Sequence, residues 1–233
     1  MKTKKLGSEG FTLLELAFVI GIIIALVAIF APLAMDKLAQ ARITRAQADL
    51  DAISTALTNF FTDIGSFPSC DDADCDPQSN ATNNLRFLAT CTGAGSCAAE
   101  LPGETAANWS TLSTQMSATP ARNNFYDHVV INDPPTDGTA GTLGTDYKTT
   151  KWKGPYITKL AVDPWGFAYI VHIGAIQNTG CPVGSTGSPP ACTAAAAGKG
   201  WILSAGPNGT LETGPNANAL VGDDLGYIFC TSC

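Results

Sequence analysis

Histidine is almost missing from this 233-residue chain: only His128 and His172 occur. Neither stands in a pattern that would make a metal site or activate a nucleophile. No G-x-G-x-x-G or P-loop run is present to cradle a nucleotide phosphate. No C-x-x-C-H occurs, so covalent haem is not indicated. Charged residues make up 14% of the chain, and 13 Lys and Arg face 20 Asp and Glu, for a net charge of −7. That shortage of positive charge argues against a nucleic-acid backbone as partner and leaves room for an oxygen-seeking cation such as calcium. An enzyme reading has little to stand on.

What the chain does have is a long uncharged run. From Leu16 to Met35 no residue carries a charge, and twenty residues at about 1.5 Å each cross a hydrocarbon layer of roughly 30 Å. Lys2, Lys4 and Lys5 precede the run. The positive-inside rule therefore keeps the N-terminus cytoplasmic and exports the remainder, about 170 residues after the amphipathic stretch, enough for one globular domain. Glu15 sits at the edge of the run, where an ionised group costs about 2.5–3.5 kcal/mol on insertion scales and calls for a partner. A cleavable secretory signal is one alternative, with Ala39-Gln40-Ala41 forced into the cleavage site, but the apolar core is too long for it. A plain single-span anchor is another, and it leaves Glu15 unexplained.

Beyond the run the helical pattern continues. Ala46, Leu50, Ile53, Leu57, Phe60 and Ile64 recur at steps of three and four, which marks one apolar helix face. Asp36, Lys37, Gln40, Arg42, Arg45, Gln47, Asp49 and Asp51 fill much of the rest. Gly65 is a helix stop, and Phe67-Pro68 disfavours continuation. The spacing predicts one helix from about Phe11 to Asp63, roughly 80 Å long. Gly21 and Pro32 interrupt its apolar half. Proline removes a donor and crowds the Ala28 carbonyl, so either a melted turn near Ala28–Pro32 or a kink tolerated in a bundle is expected.

Gly10 followed by Phe11-Thr12-Leu13-Leu14-Glu15, behind a short basic leader, resembles the class III signal of type IV pilins and type II secretion pseudopilins. The resemblance implies that a membrane-embedded prepilin peptidase cuts between Gly10 and Phe11 and methylates the new terminal Phe11. It also implies that Glu15 serves assembly. An ammonium on Phe11 at the positive end of a helix is unwelcome, and the Glu15 carboxylate of a neighbouring subunit would neutralise it in a low-dielectric filament core, fixing register more than adding net stability. A role for Glu15 in peptidase recognition or membrane docking alone stays open.

Two further blocks carry the resemblance. Asp63-Ile64-Gly65-Ser66-Phe67-Pro68 is similar to the helix exit of major pseudopilins. Lys153-Gly154-Pro155-Tyr156-Ile157, then Asp163-Pro164-Trp165-Gly166, is similar to their G-P-Y and D-P-W-G elements. Read locally, Asp163 to Gly166 is a turn between two aromatic and β-branched runs, which predicts a hairpin with Trp165 packing the helix against the sheet. Strands are expected at Tyr156–Leu160, Ala168–Ile173, Trp201–Ser204 and Tyr227–Phe229. His172, alternating with apolar neighbours, reads as a packed or edge residue. The expected fold is α+β: a long N-terminal helical spine on a small antiparallel sheet, pilin-like. Its parts are a leader (1–10), a membrane or filament-core helix (11–35), an amphipathic half (36–64) and a periplasmic head (65–233). Loop insertions near 69–152 and 174–200 depart from the shorter major-pseudopilin pattern.

All eight cysteines follow the apolar run, an even count that suggests disulfides in an oxidising compartment. Nearest-neighbour pairing joins Cys70 with Cys75, Cys91 with Cys97, Cys181 with Cys192 and Cys230 with Cys233, one connectivity among many. Cys230-x-x-Cys233 as a redox pair lacks the helix such a motif opens. Leu203 to Thr210, followed by Gly222-Asp223-Asp224-Leu225-Gly226, clusters oxygen ligands on glycine-rich backbone and resembles the calcium loop of major pseudopilins. The resemblance implies Asp223 and Asp224 as the acidic pair, carbonyls from Leu203 and Gly206, and Asn208 where an aspartate is usual. Two solvated acids and a turn asparagine without metal are the alternative.

The resemblance as a whole implies an inner-membrane, single-pass subunit of a helical homo-oligomeric filament, a type II secretion pseudopilus that drives protein export. Prepilin peptidase, an assembly platform and minor pseudopilins are the implied partners. A type IV pilin for adhesion, motility or DNA uptake is the runner-up, and a monomeric anchored binding domain is a third class.

Overall fold

The computed structural model describes residues 11–65, 67–68, 87–90, 100–104, 124–132, 147, 151–158, 162–173, 200–214 and 217–230. The first helix, α1, spans Leu13–Ile64. The chain divides into two compact units, Met1–Arg42 and Ile43–Cys233. Within the first, every described residue is exposed, including Phe11 at 81% and Leu14 at 81%. A helix apolar on all sides has no inward face of its own and belongs in a bilayer or among other helices. By length and composition α1 is able to span a membrane. Gly21 and Pro32 lie inside it, and residues 28 to 32 are helical throughout. The melted turn is therefore not the form in this structure. A proline costs one backbone bond and a carbonyl contact, about 3 kcal/mol, and fifty helical neighbours offset it locally.

In the second unit the predicted stripe is the buried one. Ala46, Leu50, Ile53, Ala56, Leu57 and Phe60 are buried, with Ile64 partly so. Thr55, Thr58 and Thr62, on the exposed side, donate their hydroxyls to the carbonyls of Asp51, Ser54 and Thr58. Gly65 ends the helix with φ +92°, its N–H on the Phe61 carbonyl at 2.8 Å, a left-handed exit that only glycine takes without strain. Lys151 Nζ reaches the Ile64 carbonyl at 3.4 Å and Lys153 Nζ the Asp63 carboxylate at 3.1 Å, cations where the helix dipole favours them.

The sheet has four antiparallel strands in the order β1 (Phe87–Ala89), β3 (Ile170–His172), β4 (Gly200–Ser204), β6 (Leu225–Cys230). A second, two-stranded parallel sheet joins β2 (Gly103–Glu104) to β5 (Thr210–Leu211), and a short helix, α2, covers Phe125–Val129. Alternation along the central strands divides the core in two. Val171 and Ile202 face the cluster that holds Leu50, Ile53, Leu57 and Phe60. Ile170, Trp201 and Leu203 join Ala168, Ala205 and Leu211 on the other face. Both faces are covered, which is why β3 and β4 are buried at every position.

The sequence expectations for Ala168–Ile173, Trp201–Ser204 and Tyr227–Phe229 meet strands in this sheet. Tyr156–Leu160 does not: residues 156 to 158 are irregular. Tyr156 instead turns its ring edge-on to Phe60 at 5.5 Å and to Trp152 at 5.6 Å, and its hydroxyl accepts the Lys153 N–H at 3.0 Å. Among the described residues no strand precedes the Asp163 turn, and residues 159–161, on which the hairpin expectation also falls, lie outside them. Trp165 is only partly buried on that turn, and among the described residues the tryptophans packed on the core are Trp152 and Trp201. The segment 69–152, expected as loop insertion, supplies β1, β2, α2 and the buried Leu88, Phe125, Val129 and Tyr147. His172 is 9% exposed within β3. Residues 174–199 lie outside the described part, as do Met1–Gly10 and seven of the cysteines. Cys230 closes the β6 backbone, so the disulfide pairing falls outside what is described.

Candidate functional site

The start of α1 is built by Thr12. Its Oγ1 accepts the Glu15 N–H at 3.2 Å, and its carbonyl accepts the Leu16 N–H at 3.2 Å. Threonine before the helix with glutamate three residues on is the capping-box pattern. A T-x-x-E signal was therefore available in the sequence beside the charge argument, and it gives Glu15 a place in its own chain. A carboxylate in the first turn also gains about 0.3–1 kcal/mol from the helix dipole. Phe11 stands just outside the helix, exposed, and Gly10 lies outside the described residues.

The second arrangement is polar and mostly buried. Asp163, 2% exposed, accepts the N–H groups of Trp165 and Phe167 on Oδ1 at 3.0 and 2.9 Å. Its Oδ2 takes the Ser204 hydroxyl at 2.7 Å. Ser204 Oγ in turn accepts the Gly206 N–H at 3.2 Å. One carboxylate thus joins the Asp163–Gly166 turn to the end of β4 and opens the loop that follows.

That loop brings together most of the residues the sequence singled out. Asn208 N–H donates to Asp223 Oδ2 at 3.0 Å. Gly206 packs against the Asp223 carbonyl, where any side chain would collide. Asp224 turns to the other side: its Oδ2 accepts the N–H groups of Glu212 and Thr213 at 2.9 and 2.6 Å. Leu203 sits in β4 opposite Gly226. The residue the sequence reading missed is Glu212, whose carboxylate lies over Gly222 and accepts the Asp223 N–H at 3.2 Å. Nothing in its spacing from Asp223 announced this, because the 212–224 loop closes it through space.

Two oxygens bear on a cation. Asp223 Oδ1 and Asp224 Oδ1 are both buried without a hydrogen-bond partner, and Asp224 is 4% exposed. Burial, with the Glu212 charge adding to it, holds the Asp224 carboxyl above its ordinary value despite the amides that favour its ionised form. Two unpartnered carboxylate oxygens on glycine-rich backbone are chemistry a hard dication fits. Asn208 Oδ1, by contrast, accepts the Thr210 N–H at 2.6 Å. Among the described residues no group of three His, Cys, Asp or Glu side chains is placed to hold a metal ion. The fit therefore rests on the two aspartates and on backbone oxygens.

Comparison with protein-family models, with curated proteins and with solved structures gives no match.

Proposed function

We propose that this chain is the subunit of a type IV pilin-like filament, in the first place the major pseudopilin of a type II secretion system. The observation that supports the reading is α1 itself. From Phe11 to Arg45 it is exposed on every side, and the same helix continues into a stretch with one face buried in an α+β head. Apolar surface of that extent is unfavourable in water and is relieved in a bilayer or beside copies of the same helix. Both relief modes belong to one life cycle: storage in the inner membrane with the head in the periplasm, then bundling into a fibre. In this reading prepilin peptidase removes Met1–Gly10, Phe11 becomes the methylated terminus, and the Glu15 carboxylate pairs with the ammonium of a neighbour. An assembly platform and minor pseudopilins are the other partners.

Calcium is the proposed ligand of the acidic loop. Asp223 and Asp224 would hold it, with oxygens of Leu203, Gly206 and Asn208, and the ion would neutralise the two carboxylates, each of which carries a buried oxygen without a hydrogen-bond partner. A type IV pilin is the second reading. It is favoured by the segment 69–152, which adds an edge strand and core residues beyond the short connection of the major-pseudopilin pattern.

The intact mass of the membrane-extracted chain tests the proposal. Loss of Met1–Gly10 with gain of one methyl group is expected, and a full-length chain in every copy ends the reading. Glu15→Ala should leave that processing intact and lower the yield of sedimentable fibre. An unchanged yield removes the assembly role of Glu15.

A further inference from the structure

We infer that Asn208 is a site of spontaneous modification, in which its side-chain amide is lost and a carboxylate appears within the acidic loop. Of all the asparagines in the chain, Asn208 alone is followed by glycine, the one residue with no side chain to shield its backbone nitrogen. Pro207 and Asn208 are exposed, so water reaches the amide. The Thr210 N–H bond to Asn208 Oδ1, at 2.6 Å, folds the carboxamide back across the intervening Gly209 peptide and polarises its carbonyl. Gly209 has φ +67°, and a methyl group there would strike the Phe167 ring, so the glycine that permits the reaction is also one the fold requires. The Gly209 N–H donates to the Gly206 carbonyl at the long distance of 3.3 Å, a bond that opens before the nitrogen can act.

The step balances without any reagent but water. The Gly209 nitrogen, losing its proton, bonds to Asn208 Cγ, and ammonia leaves with that proton, closing a five-membered succinimide. Water then opens the ring at either carbonyl, giving aspartate or its β-linked isomer. The new carboxylate joins Glu212, Asp223 and Asp224, two of which already carry buried oxygens without partners. The loop gains negative charge and becomes more dependent on a cation. The modification stands apart from the filament reading, and only this last consequence rests on the calcium proposal.

The test incubates the full chain in detergent micelles in warm, mildly alkaline buffer and follows each asparagine peptide by mass. The peptide spanning Asn208–Gly209 is expected to convert to acid several-fold faster than every other, and Asn208→Gln to block that change, since its longer side chain closes a six-membered ring far more slowly. Retention of the Asn208 amide while other asparagines convert overturns the inference. In a second arm, Asn208→Asp and the incubated chain are melted with calcium and with chelator. A larger calcium shift than in freshly purified chain is expected. Full conversion at Asn208 with no calcium shift refutes the cation consequence and counts against the calcium reading, while leaving the modification established.

Discussion

Removing one oxygen from the core gives the sharpest test of how the head is joined. The Tyr169 ring is wholly buried between helix and sheet, and its hydroxyl donates to Asp49 Oδ2 at 2.8 Å. Arg45 Nε stands 3.7 Å from the same oxygen. Tyr169→Phe keeps the ring and opens no cavity, so the change isolates the bond. A hydrogen bond to a charged group is worth about 1.5–3 kcal/mol. The Asp49 side chain is 29% exposed and can be rehydrated, which places the expected loss at the lower end, about 1–2 kcal/mol. At this chain size the melting temperature falls by roughly 2–4 °C per kcal/mol. Burial first, and the Asp49 charge second, hold the Tyr169 hydroxyl well above the ordinary tyrosine value of 10.0. A raised folded value means that the contribution is complete below pH 10 and fades above it, as the unfolded tyrosine ionises. Urea unfolding of the detergent-solubilised chain should show wild type ahead of Tyr169→Phe at neutral pH, with the gap narrowing above pH 10. Equal stability at neutral pH, or a gap that ignores alkali, would refute the argument.

Phe60 is fully buried with Tyr147 edge-on at 4.9 Å and Tyr156 at 5.5 Å. Phe60→Ala should cost about 3–5 kcal/mol in denaturant unfolding, and a loss below about 1 kcal/mol would mean that the site is not packed as described. Asp224 has its carboxyl held above the ordinary 3.8 by burial. In chelator, its contribution is therefore complete below that value and declines as pH rises through the folded one. Asp224→Asn lacks this slope, so wild type should lose ground to the variant between acidic and neutral pH, and parallel pH profiles would sink the assignment.

The amphipathic stripe was the most legible part of the chain because helix period and burial are the same fact seen twice: all but one of its named positions are fully buried. β4 and β6 were legible as aromatic and β-branched runs. Tyr156–Leu160 had the same composition, yet its described residues, 156 to 158, form no strand, since Tyr156 and Trp152 found partners on Phe60 and on each other. Packing on the helix end outweighed β-propensity there. β1, three residues long, carries too little pattern to stand out, and its place comes from pairing with β3 across some eighty positions. In the acidic loop, Asp223 and its neighbour were readable as a pair. That the pair splits, one acid toward Asn208 and the other toward Glu212 and Thr213, follows from three-dimensional closure that no local spacing encodes.

The order in which the pieces leave the ribosome has a consequence. β6 pairs with β4, and Tyr227 on it donates its hydroxyl to the Leu50 carbonyl, a partner made 177 positions earlier. Long-range closure of this kind is slow and waits for its last member. The greasy first third of α1 needs nothing downstream to become helical, whereas the head stays incomplete until the final strand is synthesised. The chain is thus built so that its apolar helix is complete before its head, and shortening it by its last ten residues would remove the closing strand while sparing that helix.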